Sequence, residues 1–258
     1  LFNTHDIIID GSGDGSGSKD LTILISATTG LQAPIHIASA GVGQGCKRIT
    51  IKNVNIEAGH SGYIYNYVTY TSSGIFIGAS AINTAGFDND SIIINNVHIR
   101  KAYYGVYSYG NSATNPNKRV YITNSTIGAN NTANYITQSG VYLYYTINSR
   151  INNNNIYNII TNVSSTPRGI YLYYSDTATV MNNIIHSVKY TGTSGYGGHG
   201  IETSHSNNAL IANNMIYDMQ GDGYTTITGS SMAGIVISYS NKNKVYFNSV
   251  NLFGNYNR

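Results

Sequence analysis

The chain has 258 residues, of which only 10% are charged, and its formal net charge is +3. This charged fraction is far below the roughly 25% of ordinary globular domains, yet 24 tyrosines exclude a disordered chain, which would contain few aromatic residues. The basic residues form no stripe of the kind that binds nucleic acid, and no apolar run is long enough to span a membrane. We therefore expect neither a nucleic-acid partner nor a membrane span.

The first feature in chain order is a glycine-rich loop, DGSGDGSGSKD, between the predicted strands IIID and LTILI. Asp10, Ser12 and Asp14 occupy the first, third and fifth positions of an EF-hand-type calcium loop, but Leu21 stands where that loop needs a glutamate. The spacing of a phosphate-binding loop is also missing. We interpret the stretch as a turn that Asp20 caps. A structural calcium ion held by Asp10, Ser12 and Asp14 is the alternative, and no other cofactor is expected.

Two short elements then alternate along the chain with a period of about 30 residues, which is within the range of solenoid repeats. The first reads I-x-N-x-x-I, as in IKNVNI and INNVHI, and the second begins with glycine, as in GIFIG, GVYLY and GIYLY. Each unit is too short to bury a core alone, so neighbouring coils must stack on one another. The repeat predicts an all-β fold, a single-stranded right-handed parallel β-helix (solenoid) of about seven to eight coils. We expect residues 1–258 to form one such domain within a longer chain.

Each repeated polar or small residue has an expected role in this fold. The asparagine of the first element is expected at a bend, because asparagine tolerates the left-handed conformation, and stacked coils would then form an amide ladder. These residues are Asn53, Asn96, Asn124, Asn153, Asn182 and Asn213. The glycine of the second element is expected to free the backbone at the next corner. These residues are Gly74, Gly105, Gly140, Gly169, Gly200 and Gly234.

The residues after these glycines alternate between the core and the outside, and the outward positions of the middle coils are rich in tyrosine. One predicted column consists of Tyr107, Tyr142 and Tyr171, and the next of Tyr109, Tyr144 and Tyr173. Tyr145 and Tyr174 extend this face. Exposed tyrosines can stack on sugar rings and hydrogen-bond through their hydroxyls, so a glycan or a protein partner could bind here. Neighbouring aromatic rings also stabilise a sheet, so a structural ladder is the alternative.

The segment HGIETSHS interrupts the tyrosine columns with Glu202, and the repeat aligns its first histidine with Arg168 of the preceding coil. The candidate catalytic residues are Arg168, His199, Glu202 and His205. They could provide the base and the positive charge for polysaccharide β-elimination, or acid–base chemistry on a glycosidic bond. A glycosidase needs a second carboxylate opposite the first, however, and the acids closest in sequence fall in predicted loops. A polar edge of an exposed sheet is the alternative.

Three parts of the sequence resemble the large secreted β-helix proteins of Bacteroidota-type bacteria: HDIIIDGSG with SKDLTI, PIHIASAGVGQGCKRITIKNVNI, and KAYYGVYSYG. The resemblance covers nearly the whole chain. It implies export to the extracellular space or the cell surface, and such proteins typically carry a C-terminal secretion-sorting domain. The same solenoid superfamily includes pectate lyases, other polysaccharide-active enzymes and phage tailspikes, so the fold does not select an activity.

The function expected from these features is a secreted or cell-surface module without enzymatic activity. It would bind a polysaccharide, a surface glycan or a protein partner through the tyrosine columns. A polysaccharide lyase or glycoside hydrolase acting near Glu202 is one alternative. A structural filament or matrix subunit is the other, because uncapped β-helix ends expose sheet edges that favour end-to-end self-association or further coils of the same chain.

Overall fold

The computed structural model describes residues 1–60, 71–222 and 229–252. In these ranges the chain forms 24 β-strands and one short 3₁₀ helix, Thr132–Asn134. Each ladder between two of the strands is parallel, as in the pairs of the first and the last coils. No helix in the described ranges is long and apolar enough to cross a membrane. The all-β fold, a parallel β-solenoid of about seven turns, is therefore confirmed.

The strands form three stacks, and each coil contributes one strand to each stack. Stack one contains β1 (His5–Asp10), β4 (Lys47–Lys52), β7 (Asp90–Asn95), β10 (Asn117–Thr123), β14 (Arg150–Asn152), β17 (Thr179–Met181), β20 (Leu210–Ala212) and β23 (Lys244–Tyr246). Stack two contains β2 (Leu21–Leu24), β5 (Val54–Glu57), β8 (His98–Arg100), β11 (Thr126–Ile127), β15 (Asn155–Thr161), β18 (Ile184–Tyr190), β21 (Met215–Gln220) and β24 (Ser249–Asn251). Stack three contains β3 (Ile35–Ser39), β6 (Ser73–Ala79), β9 (Ala102–Tyr109), β12 (Ile136–Tyr144), β16 (Arg168–Tyr173), β19 (His199–Ser204) and β22 (Ala233–Ser238). The remaining strand, β13 (Thr146–Ile147), pairs with β10.

The core is a set of aliphatic columns along the axis of the solenoid. In stack one, successive coils place β-branched residues in register, each with no exposed surface: Ile51, Ile94, Ile122, Ile151, Val180 and Ile211. In stack three the inward positions after the glycine are buried from the second to the sixth coil, as Val141 and Leu143 illustrate. In the seventh coil Ile237 is 43% exposed, since no described strand follows it in stack three.

The asparagines of the first element adopt the expected left-handed conformation, with φ between 51° and 59°. The expectation that they also form the amide ladder is wrong for most coils. Asn96 does donate to Asn53 Oδ1 at 2.7 Å, but the equivalent residues of the later coils are exposed: Asn124, Asn153, Asn182 and Asn213. A left-handed residue at the bend turns its side chain outward, so the residue after it points inward.

A buried amide ladder therefore runs one position further along the chain, through Asn154, Asn183, Asn214 and Asn248. The Nδ2 of each of the first three donates to the Oδ1 of the asparagine that follows in this series, at 3.0, 2.9 and 2.8 Å in turn. The same nitrogens also donate to the carbonyl oxygens of strands in stack one, for example Asn183 Nδ2 to Ile151 O at 2.7 Å. These bonds satisfy the buried backbone groups where the chain turns from stack one to stack two.

The glycine column of stack three has a different role from the expected one, because none of its backbones lies in the left-handed region. The reason for glycine is instead close packing between coils. A Cβ on Gly169 would lie 2.4 Å from Ile185 Cγ2 and 2.6 Å from Gly200 O. Gly140 is similarly placed, with Ile156 Cγ2 at 2.5 Å from its ideal Cβ. Glycine is therefore required because side chains of stack two and the backbone of the next coil come too close to leave room for a Cβ atom.

The Gly169→Ala substitution should destabilise the fold by about 3 kcal/mol, because the added methyl group overpacks a buried position with backbone on one side. Urea unfolding followed by circular dichroism measures this change. Gly13→Ala is the matched control, since its Cβ would meet only Asp20 Oδ2, at 3.5 Å, and it should leave the unfolding midpoint unchanged. Equal stability of the two variants would contradict close packing as the reason for the glycine column.

Asn183→Ala should also lower the free energy of unfolding by about 3 kcal/mol, because the buried partners of its side chain lose their hydrogen bonds. These partners are the backbone and side chain of Asn154, the carbonyl of Ile151 and the side chain of Asn214. The neighbouring Asn182→Gly is the control: its φ of 57° suits glycine and its side chain is exposed, so it should be neutral or slightly stabilising.

Candidate functional site

The outward side chains of β9, β12 and β16 form the two expected columns of tyrosine. Column one consists of Tyr107, Tyr142 and Tyr171. Column two consists of Tyr109, Tyr144 and Tyr173. Ring centroids within column one are 4.8 and 4.9 Å apart, and within column two 4.9 and 4.8 Å. The rings are therefore stacked at the spacing of the coils, since parallel strands in a sheet lie about 4.8 Å apart.

A third aromatic column lies beside column two, at the corner after stack three. Column three consists of Tyr145, Tyr174, His205 and Tyr239. Its centroids are 4.9, 4.6 and 4.8 Å apart, and each of the four residues has a positive φ between 44° and 52°. The first two members are predicted from the sequence, whereas His205 is expected in a different site and Tyr239 is not predicted. Alignment of the repeats would have predicted the whole column, because each of its members lies at the same sequence separation from the glycine that begins the second element.

The three columns differ in their exposure to solvent. Tyr107 is only 5% exposed, and Phe76, which precedes it in column one, is fully buried. The ring of Tyr104 covers this column, with its centroid 4.8 Å from that of Tyr107 and 5.6 Å from that of Tyr142. Column one is thus buried at Tyr107 and partly exposed at Tyr142 and Tyr171, whereas columns two and three present partly exposed rings along their whole length.

The hydroxyl groups of Tyr144, Tyr171 and Tyr173 are protonated at neutral pH. Burial, reinforced by the neighbouring tyrosines, raises the pKa of Tyr144 to about 12. Burial also raises the pKa of Tyr171 to about 12, against the opposing effect of Arg168. The pKa of Tyr173 is raised as well, mainly by burial. Each hydroxyl can therefore donate one hydrogen bond as well as accept others.

Arg168, His199 and Glu202 come together where the tyrosines of column one end. Arg168 Nε donates to Glu202 Oε2, its Nη2 lies 3.4 Å from Oε1, and its guanidinium stacks on Tyr171 with 4.2 Å to the ring centroid. His199 Nδ1 is 2.8 Å from Glu202 Oε2, and its Nε2 is 2.8 Å from Ser231 O. The three side chains form one ion-pair network, and Arg168 also lines a cavity of about 170 Å³ beside column one.

Both oxygens of Glu202 are occupied by this network, and the residue is only 8% exposed. Burial alone would raise its pKa, but the hydrogen bond from His199 and the charge of Arg168 outweigh burial and lower the pKa below its ordinary value of 4.5. The carboxylate is thus ionised at neutral pH. A general acid for glycosidic cleavage would need the opposite shift.

The fourth candidate catalytic residue, His205, is placed apart from this network. Its ring belongs to column three, stacked between Tyr174 and Tyr239, and its Nδ1 lies 3.1 Å from Ser204 Oγ. The structure therefore brings together three of the four candidate catalytic residues and assigns the fourth to an aromatic surface. Their catalytic role stays a prediction.

The glycine-rich loop is held by its own side chains. Asp10 Oδ2 forms an ion pair with Lys52 at 2.9 Å, and mainly for this reason its pKa is lowered to about 2. Asp14 Oδ1 accepts from Ser12 Oγ at 3.2 Å, and Asp20 Oδ2 accepts from the amide of Gly13 at 2.9 Å. In the described ranges no group of three or more histidine, cysteine or acidic side chains is placed to hold a metal ion. The calcium site of Asp10, Ser12 and Asp14 stays a prediction.

No protein-family model and no curated protein matches the sequence. Among solved structures, the chain is similar to PfbA, a surface adhesin of Streptococcus pneumoniae, with a TM-score of 0.56 and 14% identity over 96% of this chain and 70% of that one. It is also similar to the enzymatically active domain of tailspike protein 2 of bacteriophage CBA120, with a TM-score of 0.38 and 15% identity over 92% of this chain and 33% of that one. At such identity the likeness to the adhesin shows a shared β-helix fold.

Glu202→Gln should reduce the free energy of unfolding by about 3 kcal/mol at neutral pH, because it leaves the buried Arg168 without its counter-charge. Because the folded-state pKa of Glu202 is lowered, its stabilising contribution is complete above its ordinary pKa of 4.5 and is lost as the pH falls through the folded value. The difference between wild type and variant should therefore shrink in acid, as urea unfolding at several pH values would reveal.

The control for this variant is Asp6→Asn, which removes the exposed ion pair with Arg48 and should leave the unfolding midpoint nearly unchanged, because solvent screens an exposed pair. A Glu202→Gln variant as stable as the wild type at neutral pH would contradict the structural role of the network.

Proposed function

We propose that this chain is an extracellular or cell-surface β-helix module that binds glycan and has no catalytic activity. Its binding surface, the tyrosine face, consists of columns two and three: Tyr109, Tyr144, Tyr173, Tyr145, Tyr174, His205 and Tyr239. The observation that carries the proposal is the stacking of these partly exposed rings, one above another, over five consecutive coils.

The chemistry of tyrosine favours a sugar as the ligand of this face. Each ring of the face stacks on the rings of the adjacent coils, so its edge is the part that meets a ligand. The C–H groups of that edge can contact the apolar face of a pyranose, while the hydroxyl hydrogen-bonds to a sugar hydroxyl. Tyrosine has only two side-chain torsions, so little conformational entropy is lost when it binds. The stacked neighbours restrain these rings further. A face that repeats with every coil fits a chain of sugar units better than a single small molecule.

The surroundings of the face also support a glycan ligand rather than a charged partner. Only 10% of the residues are charged, and most of the ion pairs of the described chain lie in other parts of the solenoid, such as Arg48 with Asp6 and Arg100 with Glu57. A location outside the cell is proposed from the resemblance to secreted Bacteroidota-type proteins and from the shared fold with a surface adhesin.

The absence of catalysis is proposed from the state of Glu202. A glycoside hydrolase uses two carboxyl groups on opposite sides of the scissile bond. Here the single carboxylate of the network already accepts from Arg168 and contacts His199, and it is almost fully buried. The aromatic rings beside it are therefore better suited to holding a sugar chain than to cleaving one.

The double variant Tyr144→Ala and Tyr173→Ala should weaken glycan binding by about a hundredfold. Each substitution removes one aromatic contact between the protein and the glycan, worth about 1 kcal/mol or slightly more. A glycan array identifies ligands, and affinity electrophoresis in gels containing the matching polysaccharide measures the change. The matched control is Tyr157→Ala with Tyr217→Ala, which removes two tyrosines that stack on His186 on the surface of stack two.

Several results would contradict the proposal. New reducing ends or unsaturated products that disappear in Glu202→Ala would indicate a hydrolase or lyase. If the protein binds no glycan but binds a protein partner through the same tyrosines, the proposed binding surface would be supported and the proposed glycan ligand would be contradicted. Ordered polymers with no binding to the face would favour a structural filament.

A further inference from the structure

A groove with a volume of about 540 Å³ runs beside column three. This volume is within the usual range of small-molecule sites, about 300 to 1,000 Å³. One wall consists of the aromatic rings of Tyr174, His205 and Tyr239, and the other of Asp176, Asn207 and Asn241. These pairs belong to three consecutive coils, so the groove is elongated along the axis of the solenoid.

The two walls arise from a three-residue repeat in consecutive coils. It reads YSD, HSN and YSN at residues 174–176, 205–207 and 239–241. The middle serine points inward: Ser175 Oγ donates to Leu143 O at 2.9 Å, and Ser206 Oγ to Ser204 O at 3.1 Å. The residues on either side of the serine must then point outward, which places one ring and one polar side chain on each coil.

The polar wall is held in place by hydrogen bonds between coils. Asp176 Oδ1 accepts from the backbone amide of Asn207 at 2.7 Å and from its Nδ2 at 3.3 Å. Asn207 Oδ1 accepts in turn from the backbone amide of Asn241 at 2.8 Å. A carboxylate has two oxygens and about four lone-pair positions, so Asp176 can still accept a hydrogen bond from a ligand hydroxyl. The wall is therefore ordered before any ligand binds.

The charge of the groove selects among sugars. Of the described residues that line it, Asp176 is the only acid, and no lysine or arginine is among them. The carboxylate of a uronic acid, or the sulfate group of a sulfated sugar, would lie close to this like charge without a lysine or arginine to balance it, which is unfavourable. A neutral sugar presents hydroxyls to Asp176 and to the asparagines, and its apolar face to the rings.

We propose that this groove is the primary subsite of the tyrosine face and that it binds a neutral glycan chain along the axis of the solenoid. Successive sugar units lie along the exposed edges of the stacked Tyr174, His205 and Tyr239 rings, and their hydroxyls bond to Asp176, Asn207 and Asn241. This inference rests on the proposed glycan-binding function and deepens it, because it names the subsite and the charge class of the ligand.

Isothermal titration calorimetry of the whole chain tests the inference with three neutral hexasaccharides, cellohexaose, mannohexaose and chitohexaose, and with hexagalacturonate as the anionic probe of equal length. At least one neutral probe should bind, and hexagalacturonate should bind at least tenfold more weakly. Tyr239→Ala and Asp176→Ala should each raise the Kd of the neutral probe by about tenfold. Tyr239 is 81% exposed, so its replacement should leave the fold intact. Tyr217→Ala, in the stack on β21, is the control and should leave the Kd unchanged.

The outcomes separate this inference from the proposed function. If a neutral probe binds and Tyr144→Ala weakens it while Tyr239→Ala and Asp176→Ala do not, the glycan-binding face stands and the groove is overturned. If hexagalacturonate binds more tightly than every neutral probe, the inference that the groove prefers a neutral glycan is overturned. If none of the four probes binds, the inference fails, and the absence of any signal on the glycan array would then overturn the proposed function too.

Discussion

The in-register parallel pairing of each coil with the next is the interaction on which the rest of this structure depends. It places chemically equivalent residues about 4.8 Å apart along the axis, so that any residue type repeated with the coil becomes a continuous column. The aliphatic core, the buried amide ladder and the aromatic columns are all consequences of this one constraint. The residue type at an interior position is therefore restricted mainly by packing against the equivalent residues of the two adjacent coils, and less by contacts within its own coil.

The corners show how strongly this constraint limits the choice of residue. A bend between two strands leaves backbone groups that no strand can pair, and such groups must find partners when they are buried. The chain solves this with an outward left-handed residue followed by an inward polar one. Asparagine is the inward residue where stack one turns into stack two, and serine or threonine where stack three turns into stack one. Two ladders of polar side chains thus run beside the apolar columns in the later coils, from Asn154 to Asn248 and from Thr146 to Ser240.

The outer surface follows the same repetition, but residues that depart from the repeat also affect what is accessible. Column one and column two have the same sequence pattern and nearly the same ring spacing. They differ because the ring of Tyr104, on the same strand as Tyr107, packs against the first two tyrosines of column one, while column two is partly exposed at every ring. The ion-pair network of Arg168, His199 and Glu202 closes the end of column one. Column three, at the corner, lies beside a groove with a volume of about 540 Å³.

The sequence by itself determined the class of the fold, the coil period, the inward positions and the left-handed asparagines, because these depend on local alternation and on a period that repeats many times. It also identified the six tyrosines of the first two columns. Only the tertiary structure decided which asparagines form the buried ladder, why Gly169 must be glycine and which tyrosines are accessible. Each of these depends on contacts between coils about 30 residues apart, or on segments that break the repeat. His205 illustrates the difference: the sequence placed it near Glu202, whereas the register of the coils stacks it between Tyr174 and Tyr239.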